Sequence, residues 1–170
     1  MRTKKVFAVP YDSKWKDEFQ RIKSYLQDIL EKSIIAIEHV GSTSVPGLSA
    51  KPIIDIDVVI ENYDKFDDVK LRLEKAGYYH EGNLGIKDRE AFAYKDKKEF
   101  MVHHLYVCPQ NSEELKRHIT FRNYLRTHKE DRDKYSSVKI KAALKYPSDI
   151  DSYIEAKSPC IKEIYKKCGL

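Results

Sequence analysis

The feature that most constrains this chain is Ile53-Ile54-Asp55-Ile56-Asp57-Val58-Val59-Ile60. β-branched residues dominate it and Pro52 precedes it, so it reads as a strand. Side chains alternate along a strand, which puts Asp55 and Asp57 on one face and Ile54, Ile56, Val58 and Ile60 on the other, toward a core. Two carboxylates side by side repel each other, and each favours solvent or a counter-ion. Mg²⁺ or Mn²⁺ suits the gap, because hard cations take oxygen ligands.

About a dozen residues upstream lies Glu38-His39-Val40-Gly41-Ser42-Thr43-Ser44-Val45-Pro46-Gly47. Gly41 allows backbone to approach a ligand with no Cβ in the way. Ser42, Thr43 or Ser44 is expected to cap a short helix with Pro46 in its first turn, whose free N–H groups would attract phosphate oxygens. Lys51 closes the loop and adds positive charge. Either half alone is commonplace, an edge-strand face or a capped turn. In this order and spacing they describe a site for a nucleotide phosphate and a divalent metal.

The Gly-Ser turn followed by an acidic pair on the next strand resembles the nucleotidyltransferase superfamily. The chain is more closely similar to one branch, the GrpB family. Matching segments include Val9-Pro10-Tyr11-Asp12 with Trp15 and Phe19, residues 37–48, Ala50-Lys51-Pro52-Ile53-Ile54-Asp55 and Arg89-Glu90-Ala91-Phe92. Others are His103-His104-Leu105, Phe121-Arg122-Asn123-Tyr124-Leu125-Arg126, Tyr135 with Lys139, and Tyr153 with Lys157. The resemblance implies an α+β fold: a nucleotidyltransferase-like mixed β-sheet flanked by helices, with a helical C-terminal portion. Some relatives are fused to dephospho-CoA kinase, which implies a possible protein partner. There are two departures. The strand Phe100–Val107 carries His103 and His104 where the superfamily places a third carboxylate, and Asn123 stands where relatives usually have Asp.

The 170 residues, 41% apolar and 35% charged, suit one globular domain, with a core over about 1–110 and helices over about 111–170. The net charge of +5 suits an anionic ligand, and equally plain solubility. Cys108, Cys160 and Cys168 lack metal-ligand spacing and imply free thiols in a reducing cytoplasm. The basic start, Met1 to Phe7, has no long apolar run, so neither a signal peptide nor a membrane span is expected.

Along the chain, residues 6–9 read as a short strand or extended arm. Residues 12–32 read as a helix capped by Asp12 or Ser13, with an apolar stripe of Trp15, Phe19, Ile22, Leu26, Ile29 and Leu30. Strands are expected at 33–40, 53–60, 78–81, 91–96 and 99–107, with a hairpin turn at Lys97-Lys98. Helices are expected at 63–76, 112–127, 129–145 and 149–167.

Arg89, before a strand, suits a phosphate or a plain surface position. Arg122 and Arg126 share a helix face and suit either an anion clamp or solvated charge. Glu38 and His39 point to opposite strand faces, so one of them approaches the site. His104 fits a metal ligand, a general base or a phosphate partner, and equally a core histidine. A zinc site from His39, His103, His104 and His118 has poor spacing support. Solvated helix faces account for the lysines of 135–145, and no nucleic-acid motif is present.

Taken with the resemblance, these residues imply a metal-dependent nucleotidyltransferase. Asp55 and Asp57 hold Mg²⁺ (or Mn²⁺), and His104 stands in for the missing acid. Gly41, Ser42, Thr43, Ser44, Lys51, Arg89 and Arg122 bind a nucleoside triphosphate, with the acceptor left open. The alternative is a catalytically inactive nucleotide-binding or partner-docking module of the same fold.

Overall fold

The structure is a computed structural model that describes residues 5–170; the basic start at residues 1–4 lies outside them. Five strands form one mixed sheet: β1 (Ala36–Val40), β2 (Ile54–Ile60), β3 (Tyr78–Gly82), β4 (Glu90–Tyr94) and β5 (His103–Pro109). Their order is β1-β2-β5-β4-β3. Only β2 and β5 run parallel; β1 pairs antiparallel with β2, and β4 with both β5 and β3.

Helices cover both faces. On one lie α1 (Lys14–Leu30) and α2 (Phe66–Lys75). Trp15, Phe19, Ile22, Leu26 and Leu30 of α1 meet Ile54, Ile56, Val58 and Ile60 of β2, along with Leu105 and Val107. This is the expected stripe against the expected strand face. Asp12 starts α1 by accepting a hydrogen bond from the Lys14 N–H at 2.9 Å. On the other face α3 (Glu113–Thr127) packs Leu115 and Ile119 on Val59, Cys108 and Tyr106. Then α4 (Lys129–Lys145) and α5 (Ile150–Lys167) close over the Gly-Ser loop, where Val45 and Leu48 pack with Leu125, Tyr135 and Ile164.

Several sequence expectations shift. Residues 6–9 form an arm with a single bridge, Val9 to Ala50. The strands expected at 91–96 and 99–107 run 90–94 and 103–109, so no hairpin joins them at Lys97-Lys98. Lys97 is buried instead: its Nζ donates to the Ala76 carbonyl at 2.6 Å and lies 4.6 Å from the Tyr78 ring centroid. That anchor and the packing of Phe100 and Met101 against the core draw the connection away from strand pairing. The strand expected from 33 begins at Ala36, after a 3₁₀ turn at Glu31–Ser33. The capped helix after Gly41 is a single 3₁₀ turn, Ser42–Ser44, with no side-chain cap and with Pro46 beyond it.

Candidate functional site

β2 and β5 pair in parallel with Asp55 opposite His104 and Asp57 opposite Tyr106, so all four side chains share the face away from α1 and α2. The position facing Asp55 thus holds an imidazole, and the position facing Asp57 a phenol. His104 Nδ1 lies 2.9 Å from Asp55 Oδ1 and donates to it, because a carboxylate only accepts. That bond leaves the His104 Nε2 lone pair free, buried and without a partner.

The Gly41 turn packs directly on Asp55. A Cβ on Gly41 would lie 2.2 Å from Asp55 Oδ2, and the residue adopts φ +72°. Glycine is therefore required both by space and by backbone. The turn's own hydrogen bonds engage the N–H groups of Ser44 and Val45, while those of Ser42 and Thr43 have no partner among the described residues. Thr43 Oγ1 donates to the Ile53 carbonyl at 3.0 Å, so it accepts from His39 Nε2–H, also at 3.0 Å. His39 stacks on Phe19, and burial pulls its pKa down to about 4, which keeps the ring neutral.

Beside Asp55 lies a cavity of about 150 Å³ bordered by Ser42, Thr43, Lys51, Asp55, His104, Lys139 and Lys157, with Phe7 of the N-terminal arm at its edge. Lys139 Nζ donates to Ser42 Oγ at 2.6 Å and sits 4.7 Å from the Tyr135 ring centroid. Burial, then the charge of Lys157, lowers the Lys139 pKa to about 7 against the pull of Asp55. Burial likewise lowers Lys157, which lies over Tyr153 at 4.4 Å. Lys51 Nζ donates to the Lys5 carbonyl and faces the Phe7 ring. The expectation that lysines of 135–145 are solvated fails at Lys139, which is 3% exposed because α4 lays it against the Gly-Ser loop.

The Asp57 end is built differently. Asp57 is fully buried, and its Oδ2 accepts from His118 Nδ1 at 2.6 Å. His118 Nε2 lies 3.1 Å from Glu114 Oε1, so the ring sits between two carboxylates. Burial opposes charging the ring, but the bond to Asp57 and the charges of Asp57 and Glu114 outweigh it and raise the His118 pKa. Burial also pushes Asp57 up, so the two groups share one proton; the second carboxylate on the ring's far side puts it on His118. Asp57 Oδ1 is buried and has no hydrogen-bond partner.

The other sequence candidates disperse. Arg89 stacks on Tyr106, 4.4 Å from its ring centroid, on the Asp57 side. Arg122 donates to Glu38 Oε2 at 2.7 Å, to the His39 carbonyl at 3.0 Å and to Asn123 Oδ1 at 3.0 Å, tying α3 to β1. Neither borders the lysine cavity. His103 is a core residue, bonded through Nδ1 to the Met101 carbonyl and through Nε2 to the Tyr78 hydroxyl. The four-histidine set does not assemble: His39 and His103 face the α1 side, His104 and His118 the opposite one. Among the described residues no group of three or more His, Cys, Asp and Glu side chains is placed to hold a metal ion.

The sequence pattern of the GrpB protein family matches residues 5–167. The chain belongs to the GrpB family. It is 36% identical to glutamate-rich protein GrpB of Alkalihalophilus pseudofirmus, over 94% of this chain and 93% of that one. It is 33% identical to UPF0157 protein YqkA of Bacillus subtilis, of which it spans 46%. The crystal structure of the conserved protein GrpB from Enterococcus faecalis superposes with a TM-score of 0.83 at 34% identity, covering 95% of this chain and 96% of that one. The Cid1 poly(U) polymerase bound to MgATP aligns over 76% of this chain and 41% of its own, with a TM-score of 0.54 and 10% identity. This GrpB-family chain therefore shares the nucleotidyltransferase fold with Cid1. No described helix is long and apolar enough to cross a membrane.

Lys139, Lys157 and Glu114 are given no site role in the sequence reading, and His118, weighed there only in a four-histidine zinc set, instead holds Asp57. The signal for the lysines lay in two aromatic–lysine pairs four residues apart, Tyr135 with Lys139 and Tyr153 with Lys157, each a cation over a ring.

Proposed function

We propose that this chain binds a nucleoside triphosphate by its phosphate chain in the lysine cavity, with Mg²⁺ or Mn²⁺ on Asp55 and Asp57, and that the site is built for nucleotidyl or phosphoryl transfer. One observation carries the reading: Lys51, Lys139 and Lys157 converge with Ser42 on the single carboxylate Asp55. Burial lowers the pKa values of all three lysines, and Lys139 is the most deeply buried of them. Buried ammonium groups in excess over acids need an anion. The fold shared with a MgATP-bound polymerase supports the same conclusion.

The residues fit the metal. Asp57 Oδ1 is an unpartnered buried oxygen on the strand face that Asp55 shares, and two carboxylates completed by water or phosphate oxygens are an ordinary Mg²⁺ environment. Asp55 and Asp57 would hold the cation, which would supply positive charge to the phosphate chain. The lysines and the Ser42 hydroxyl hold the phosphate oxygens, and the open N–H groups of Ser42 and Thr43 add donors. His104, oriented by Asp55 through Nδ1, accepts the acceptor's proton at Nε2. At about 150 Å³ the cavity is smaller than the ~300–1,000 Å³ typical of whole-ligand pockets. It suits a phosphate chain, leaving the base outside.

Thermal unfolding with each of ATP, GTP, CTP and UTP, with Mg²⁺ or Mn²⁺, tests this reading. All four nucleotides are expected to raise Tm by several degrees, similarly for each base, and Asp55→Asn is expected to abolish the response while unfolding near the wild-type temperature. An undiminished response in Asp55→Asn overturns it.

A specific observation favours a second reading, a binding module without turnover. Asp57 is clasped by His118, and β5 supplies His104 and Tyr106 rather than a third carboxylate. Binding without release of pyrophosphate or phosphate by purified protein selects that reading; turnover eliminates it.

A further inference from the structure

A second, larger cavity of about 340 Å³ lies on the other side of the Gly-Ser loop. Tyr11, Lys16 and Gln20 from the start of the chain, His39, and Arg126 of α3 border it. Thr43 borders both cavities, but Asp55 and His104 border only the first, and His39 and Arg126 only the second.

The charges here are unbalanced. Arg126 uses Nε to hold the Ser44 carbonyl at 3.0 Å, and its terminal amino groups make no hydrogen bond or ion pair among the described residues. Glu38, the acid whose charge it feels, is committed to Arg122. The Lys16 ammonium, the Gln20 amide and the Tyr11 hydroxyl also have no polar partner among the described residues. His39 adds no charge, because burial keeps the ring neutral, and its bond to Thr43 selects the Nε2–H tautomer. No acid borders the cavity, while Phe19, Tyr11 and Pro46 give it apolar walls. A free guanidinium fork recognises a phosphate or carboxylate in bidentate fashion, and aromatic walls suit a flat ring.

From this juxtaposition we infer that the cavity behind the Gly-Ser loop is a second ligand site, for a ring-bearing monoanion or dianion the size of a nucleoside monophosphate. The size falls in the ~300–1,000 Å³ range of small-molecule pockets. Its occupant meets neither Asp55 nor His104, so it is an effector rather than an acceptor. It acts on the loop through the Arg126–Ser44 and His39–Thr43 bonds, and the dependence between the two sites is reciprocal.

The test uses AMP without metal on the full chain carrying Lys139→Met, which disables the first cavity, followed by amide NMR. AMP is expected to shift the amides of Gln20 and Ser44 saturably. Adding Arg126→Gln, a change at an exposed side chain, is expected to weaken binding at least tenfold, and Lys16→Gln by a smaller factor. Inorganic phosphate is expected to shift the same amides with at least tenfold weaker affinity. Three results overturn the inference: no saturable shift at Gln20 and Ser44, shifts that survive Arg126→Gln, or phosphate binding as tightly as AMP.

Discussion

Asp55 and Asp57 lie two residues apart on one strand face, yet their surroundings have little in common. The Asp55 side chain is 28% exposed, packs against a glycine turn and looks into a cavity bordered by three lysines. The Asp57 side chain is fully buried and held by a histidine that a second carboxylate also holds. The difference comes from what covers each end of the sheet face. Helices α4 and α5 bring lysines over the loop, whereas α3 lies flat on the sheet and brings His118 onto Asp57. An acidic pair read along the strand as two equal ligands is thus divided in its surroundings: Asp55 borders the lysine cavity, whereas Asp57 is clasped by His118 and keeps one oxygen without a hydrogen-bond partner.

The strongest way to break this division is to remove each histidine in turn. His118→Gln leaves Asp57 buried beside a neutral amide, which is expected to cost about 3–5 kcal/mol, as for other broken buried pairs. His104→Gln, at a pair whose side chains are about a quarter exposed, is expected to cost about 1 kcal/mol or less. The first deficit depends on pH. Without His118, burial raises the Asp57 pKa above its unfolded value. A group shifted upward is at no disadvantage below the unfolded pKa and loses stability as pH rises through the folded one. The His118→Gln deficit is therefore expected to grow between pH 4 and about pH 6.5 in urea unfolding; above that the wild type also loses stability, because folded His118 keeps a proton that the unfolded chain releases. Equal costs for the two substitutions, or a deficit that shrinks with rising pH in that window, would remove the distinction between the two ends.

Gly41→Ala sharpens the other side of the comparison. The new methyl would collide with Asp55 Oδ2 at a backbone conformation disfavoured for alanine. A cost of about 2 kcal/mol is expected, together with loss of the nucleotide response, because Asp55 must turn away. Gly82, also at positive φ but with nothing within 4 Å of a Cβ, is the control: its alanine variant carries the backbone strain alone. If both variants bind nucleotide like the wild type, the contact between the turn and Asp55 has no role in the site.

What the sequence revealed follows from the range of the interactions involved. The alternation in β2, the stripe of α1 and the Gly-Ser turn are set by neighbours in the chain, and each is found where its residues indicate. The opposition of Asp55 and His104 needed only the two strands to pair, and strand alternation then puts Tyr106 on the same face as His104. The lysine cavity was not legible, because α4 and α5 are lysine-rich on several sides and α4 lacks an apolar stripe to mark its packed face. Its buried Lys139 and half-buried Lys157 stand 97 and 115 residues beyond Ser42 in the chain. Arg122 shows the converse. An arginine beside a suspected site invites a role with anions, but Glu38 and the His39 carbonyl satisfy it, and Asn123 supplies an uncharged acceptor where an aspartate was the expected residue.

The smallest expected effect makes the Asp55 end quantitative. Lys139 sits at a pKa of about 7 because burial and Lys157 disfavour its charge. An anion in the cavity is held best by the ammonium form, so phosphate-chain affinity is expected to fall as pH rises through 7, by up to about tenfold per unit if one proton is linked. Fold stability moves the opposite way. The unfolded lysine keeps its proton up to about 10.5 while the folded one loses it near 7. The unfolded state therefore binds more protons across that window, and stability rises with pH there. Lys139→Met removes both dependences at once. It is expected to stabilise the fold at pH 7 by about 1–3 kcal/mol, as when an apolar side chain replaces a buried charge, while weakening ATP binding measured by calorimetry. A variant that loses stability together with affinity would mean that Lys139 is held as a structural strut for Ser42 rather than kept charged for a ligand.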